Sequence, residues 1–145
     1  VTSTNLTWLG RASVAVAFVC AAALAWSWLP AQAGDGFVLI FMPTTLALAV
    51  AIPGILVSLR RLQPGEGRQA STMGAYLRWL LAAAPRWAQA FWALALGVAM
   101  LEIVRAMLAG RSHPADNVHT FTATALYFAV TAALIYRALA REQQA

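Results

Sequence analysis

Phe37–Leu59 reads FVLIFMPTTLALAVAIPGILVSL, 23 residues without one charge. A helix needs about 20 mostly apolar residues to cross a bilayer, and a charge-free stretch of this length reads as a transmembrane span. Three more stretches of the same kind surround it. Ala12–Leu29 precedes it and is uncharged, Val118–Tyr136 closes the chain and is uncharged, and Trp87–Ala109 carries only Glu102 and Arg105. The connections between the spans are Pro30–Gly36, Arg60–Arg86 and Gly110–Asn117. The first and last are short enough to make the helices they join antiparallel neighbours. The fold class expected is therefore an all-α integral membrane protein. It has four transmembrane helices in an antiparallel bundle, within a single domain over residues 1–145.

Composition agrees. Of 145 residues, 61% are hydrophobic and 10% are charged, with mean hydropathy +0.69. Soluble domains carry about 25% charge, so this chain lacks the polar surface of a cytosolic enzyme. A disordered tail is excluded by the same numbers. A lone cysteine, Cys20, excludes an internal disulfide and paired-thiol redox chemistry.

The start of the chain allows a second reading. Arg11, an apolar run and Ala31-Gln32-Ala33 before Gly34 resemble a secretory signal with an A-x-A cleavage site. The run exceeds the usual h-region of roughly 7–15 residues, so a retained first span is expected. Every basic residue is arginine, alanine is abundant, and valine stands at position 1. These features point to a high-GC bacterial gene with a GTG start, and hence to a bacterial inner membrane.

The arginines set the orientation. Arg11, Arg60, Arg61, Arg68, Arg78, Arg86, Arg137 and Arg141 fall at the two termini and in the central connection, whereas the other side holds Arg111 balanced by Asp35 and Asp116. The excess of positive charge places both termini and the central loop in the cytoplasm. Trp8, Trp79 and Trp87 then mark the inner interface, with Trp26 and Trp28 at the outer one. The net charge of +5 forms no compact basic patch, so no nucleic-acid partner is expected.

The central connection has structure of its own. After the turn-rich Gln63-Pro64-Gly65-Glu66-Gly67, Ser71 is placed to cap a short helix running to Ala84 and stopped by Pro85. Met73, Tyr76, Leu77, Leu80, Leu81 and Ala84 recur at helical spacing and make one apolar face. Such a helix lies in the interface, either as an anchor for the third span or as a docking surface.

Lipid gives helices no hydrophobic drive to associate, so close packing depends on small residues. Ser13, Ala17, Ala21 and Ala25 recur every four positions in the first span, as do Ala125, Ala129 and Ala133 in the fourth. Ala95, Ala99, Ala106 and Ala109 lie within about 60° of Glu102 on the third helix. Glu102 is thus expected to face other helices. Pro43 and Pro53 interrupt the second span and free the carbonyls of Leu39 and Ala49, which need partners.

Chemistry concentrates at one level. A charge near the bilayer centre costs at least about 2.5–3.5 kcal/mol, which makes Glu102 and Arg105 candidate site residues. Thr44 and Thr45 on the second span, and Thr124 and Tyr127 on the fourth, fall at similar depth. With Thr120 and Thr131, the last two form a hydroxyl stripe. These six residues, Glu102, Arg105, Thr44, Thr45, Thr124 and Tyr127, are the expected ligand- or ion-binding set. The competing reading is a structural Glu102–Arg105 pair, with threonines bonded to their own helix.

No metal site, cofactor or catalytic residue is expected. His113 and His119 flank the outer loop with Asp116 between them, in no known metal spacing, and are expected to be solvated there. Without a mid-span histidine, a buried bis-histidine haem has no ligands. Met42, Met100 and Met107 read as filler, and Cys20 as a small packing residue. Three functions remain. The first is a non-enzymatic subunit or assembly partner in a larger membrane complex. The second is a small oligomeric transporter or channel built around Glu102. The third is a lipid-binding or lipid-modifying membrane protein. Expected partners are membrane lipid and other membrane subunits or further copies of this chain.

Overall fold

The computed structural model describes residues 3–28, 36–60, 72–109 and 114–144. Among these residues all regular structure is helical: α1 (Ser3–Ser27), α2 (Gly36–Leu59), α3 (Met73–Ala82), α4 (Arg86–Ala109) and α5 (Pro114–Gln144). Four of the five, α3 excepted, are long and apolar enough to cross a membrane.

The elements outrun the apolar stretches that signal them. α1 begins nine residues before Ala12, and α5 continues eight residues past Tyr136. Hydropathy marks where a helix meets an apolar surround, whereas backbone hydrogen bonding continues until a breaker intervenes. α5 opens with Pro114, a residue suited to the first helical position. Pro85 ends the α3 turn, and its carbonyl accepts from Ala88 N and Gln89 N to begin α4. α2 runs through both Pro43 and Pro53.

Packing centres on α5. More than half of its apolar window, 56%, is buried, against 11% to 28% for the other long helices. It gives a different face to each neighbour. Ile135 and Tyr136 meet Gly54 of α2. Thr131 accepts a hydrogen bond from Trp92 Nε1 of α4 at 3.0 Å. His119 meets Ser27 of α1. Gly10 also lies against Tyr136, Thr120 bonds Glu102 O and Cys20 meets Pro43, so α1 and α4 run antiparallel to α5, and α2 parallel to it. The small residues sit where close approach needs them: Ser13, Ala17, Cys20, Ala47, Ala125, Ala129 and Ala132 are all buried.

Gly54 shows what that closeness requires. A Cβ there would stand 3.2 Å from Tyr136 Cζ. Its absence lets the phenol lie on α2 and donate to Val50 O at 2.9 Å. This is the turn that Pro53 weakens, and the hydroxyl lands one residue beyond Ala49, whose carbonyl the proline frees.

α3 docks on the end that gathers both termini. Thr72, not Ser71, caps it, with Oγ1 accepting from Ala75 N at 3.2 Å. The capping oxygen must stand three residues before its donor, and helix α3 begins at Met73, so Thr72 has the right register. Ser71 lies outside the described residues. Leu80 is fully buried, Ala84 is buried, Tyr76 is half-buried and Met73 is exposed, so the apolar face beds on protein from Tyr76 onward. Tyr76 OH donates to Ser58 Oγ at 2.8 Å, because the Ser58 proton goes to Ile55 O. Two α5 arginines close the α3 C-terminus: Arg137 Nε donates to Ala83 O at 3.0 Å and Arg141 Nη1 to Ala82 O at 2.9 Å. Gln89 Nε2 adds bonds to Leu81 O and Ala84 O. Cations here also complement the negative end of the helix dipole.

Candidate functional site

α4 turns Glu102 toward α5, on the face that also buries Ala95 and Ala99. The residue is 4% exposed. Its Oε1 lies 3.6 Å from Arg105 Nη1, one turn further along α4, and Arg105 is partly exposed. Thr120 of α5 donates to the Glu102 backbone carbonyl at 3.3 Å. The acid and its cation are thus paired along one helix, and the neighbouring helix is pinned to the acid's backbone.

The other expected site residues scatter. Thr124 donates to Thr120 O at 2.7 Å, and Thr131 to Tyr127 O at 2.8 Å, each on its own helix four residues back. Tyr127 lies beside Trp92 and Phe128, with ring centroids 6.1 and 5.7 Å away. The hydroxyl stripe therefore forms part of the α4–α5 contact. Thr44 and Thr45 sit on α2, which packs on α5 and α1. Thr45 is exposed, while Thr44 Oγ1 is buried and makes no hydrogen bond among the described residues. Cys20 is fully buried and points its thiol at Pro43 O, 3.7 Å away.

His119 departs from the sequence reading. It is 6% exposed on α5, not solvated in a loop. The reason is helical register: Pro114 starts α5 early, and His119 then falls on the face turned to α1. Its Nδ1 shares a 2.8 Å hydrogen bond with Ser27 Oγ. The Ser27 hydroxyl proton goes to Leu24 O at 2.6 Å, which can only accept, so His119 Nδ1 is the donor to Ser27. Trp28 stacks on the imidazole at 4.4 Å between centroids and 21° between planes. Arg105 Cζ stands 5.5 Å from the Trp28 ring centroid.

One group therefore joins three helices: Ser27 of α1 and Trp28 just past its end, Glu102 and Arg105 of α4, His119 and Thr120 of α5. The sequence singles out Glu102 and Arg105 as charges inside a span and Thr120 as part of the hydroxyl stripe. The rest depends on pairing Ser27 with a residue 92 positions away, for which the sequence carries no signal. His113 and Asp35 fall outside the described residues. No group of three or more metal-ligating side chains occurs among the described residues. Comparison of the chain with protein-family models, with curated proteins and with solved structures finds no match.

Proposed function

We propose that this chain is a multi-pass protein of a bacterial inner membrane, with both termini cytoplasmic, that serves as a non-enzymatic subunit or assembly partner of a larger membrane complex. Its polarity is that of a protein in lipid. The most buried helix, α5, carries Thr120, Thr122, Thr124, Thr131, His119 and Tyr136, while Phe18, Leu94, Leu101, Met107 and Leu108 face outward. A water-facing surface does not carry so large an apolar area.

The observation that carries the assembly role is α4. Among the described residues its main packing partner is α5. Its opposite side presents Leu94, Leu101 and Leu108 at seven-residue spacing, all exposed, with Gly97 and Val104 between them. This is the spacing at which one helix seats on another. Glu102 supports the same reading, because its carboxylate is closed in by Arg105 and so serves the fold. The test is native mass in mild detergent. Wild-type protein should travel in an assembly larger than its own 15.5 kDa. Leu101→Trp with Val104→Trp should release it with its helicity intact. A wild-type monomer, or an unmoved double variant, overturns the proposal.

Transport is the second reading, supported by Thr44 Oγ1, a buried hydroxyl with no partner among the described residues. Proton or ion flux in proteoliposomes that is lost in Glu102→Gln would favour it.

A further inference from the structure

Between α1 and α4 the surface opens into an apolar groove floored by α5, with a volume of about 490 Å³. Phe18 and Phe91 form its walls, Val130 and Ala133 its floor, and Trp87 and Arg137 line it toward the termini. It is thus an apolar slot whose one charged lining residue, Arg137, stands at the end toward the termini.

Arg137 is held in place but not used up. Its Nε is bound to Ala83 O, and among the described residues its Nη atoms make no hydrogen bond. Two more exposed arginines belong to the same end: Arg11, one turn before Val14 of the α1 wall, and Arg86, next to Trp87. The acid nearest in sequence to Arg137, Glu142, accepts from Trp79 Nε1 at 2.7 Å. An apolar slot that ends in a fixed guanidinium, ringed by further cations, complements a molecule with a long hydrocarbon chain and a negative head.

We infer that this groove binds an anionic phospholipid, with an acyl chain lying between α1 and α4 on Ala133 and the phosphate at Arg137. The inference rests on the membrane placement proposed above. The Nη donors fit phosphate oxygens bidentately. Trp87 sits at the level where an indole meets headgroups. α3 acts as a positioning element, since its terminal carbonyl sets the direction of the guanidinium.

The test uses the full chain, extracted in mild detergent and exposed to an equal mixture of phosphatidylglycerol and phosphatidylcholine, with retained lipid counted by native mass spectrometry. Wild-type protein should keep one phosphatidylglycerol in preference to phosphatidylcholine by roughly fivefold, the preference that one arginine near an anionic headgroup confers. Arg137→Gln should abolish the preference. Arg141→Gln also removes one α3 bond but lies outside the groove, and should leave the preference intact. Ala133→Phe fills the floor with all charges kept, and should lower total lipid retention. Equal retention of both lipids by the wild type overturns the inference, as does equal loss in Arg137→Gln and Arg141→Gln. A second copy seated on the groove, seen as a Phe18→Cys cross-linked dimer in a Cys20→Ala background, overturns it too. If the chain instead leaves membranes in an alkaline wash without detergent, it is the membrane placement that fails.

Discussion

At the end that holds both termini, Arg137 and Arg141 of α5 reach out to the carbonyls of α3, and α1 stands apart from α4 across an open groove. At the far end Arg105 turns over Trp28 and pairs with Glu102, and His119 ties α5 to α1. Both ends use arginine, with different results. Arg137 and Arg141 complete a helix terminus whose carbonyls need donors, and Arg137 keeps donors to spare. Arg105 answers a buried acid and an aromatic face, and draws three helices together. What an arginine does depends on whether its partner is backbone at an edge or a charge inside.

Leu80→Glu strikes the first end hardest. Leu80 is fully buried where α3 meets α5. A carboxylate there without a partner should cost about 3 kcal/mol or more, enough to detach α3. Amide protection over residues 73–82 should vanish in hydrogen exchange while α4 and α5 stay protected at Glu102 and Thr120. Loss of protection at both ends together would merge them into one cooperative unit.

The far end has its counterpart in Glu102 and Arg105. Arg105→Leu leaves the acid in place without its cation and should destabilise by about 2–3 kcal/mol, read as a fall in melting temperature in detergent. Adding Glu102→Leu removes both charges and should restore most of the loss. Glu102→Gln should retain the packing, since the bond from Thr120 to the Glu102 backbone carbonyl is kept. A double variant no more stable than Arg105→Leu would show that the pair holds the fold by more than mutual neutralisation.

Legibility in the sequence divides along the same line. Helix number and the exposed-versus-buried face of α4 follow from apolar length and from alanine spacing around Glu102, because both are local periodicities. The apolar face of α3 is equally local, although its cap shifts by one residue to Thr72. The dominance of α5 was not legible. It is the least apolar of the four long helices and yet the most buried, so that its threonines and His119 find partners inside. The His119–Ser27 bond was hidden for the same reason. Assigning His119 to a loop followed from its polarity, whereas its place follows from the register that begins at Pro114. Thr44, Thr45, Thr124 and Tyr127 are expected at the depth of Glu102 from their positions in the spans, but depth alone does not say which way a side chain turns about its helix.

His119→Phe isolates the α1–α5 tie from the charge pair. The ring keeps its stack on Trp28 and loses the Nδ1 bond to Ser27. A net loss of about 1 kcal/mol is expected, the usual worth of one intramolecular hydrogen bond. Ser27→Ala should cost about the same, and the double variant no more than either alone. Additive losses would mean that Ser27 and His119 act through separate contacts.

The smallest effect expected is at Trp28, and it bears most directly on the difference between the ends. Removing the indole with Trp28→Leu takes away the ring under Arg105 and the stack on His119, while Glu102, Arg105 and His119 all remain. An exposed cation–π contact is worth about 0.5–1 kcal/mol, so the melting temperature should barely move. Geometry should respond more than stability, because this contact is what closes α1 onto α4. Spin labels at exposed Ala25 and Met107, in a Cys20→Ala background, would report that separation. In the wild type the distance should be narrowly distributed, and in Trp28→Leu it should broaden and lengthen, as α4 keeps only its hold on α5. Labels at Val14 and Phe91, across the groove, should be broad in both proteins. If the far-end distance stays narrow without the indole, α1 and α4 are held by α5 alone, and Arg105 serves only its acid.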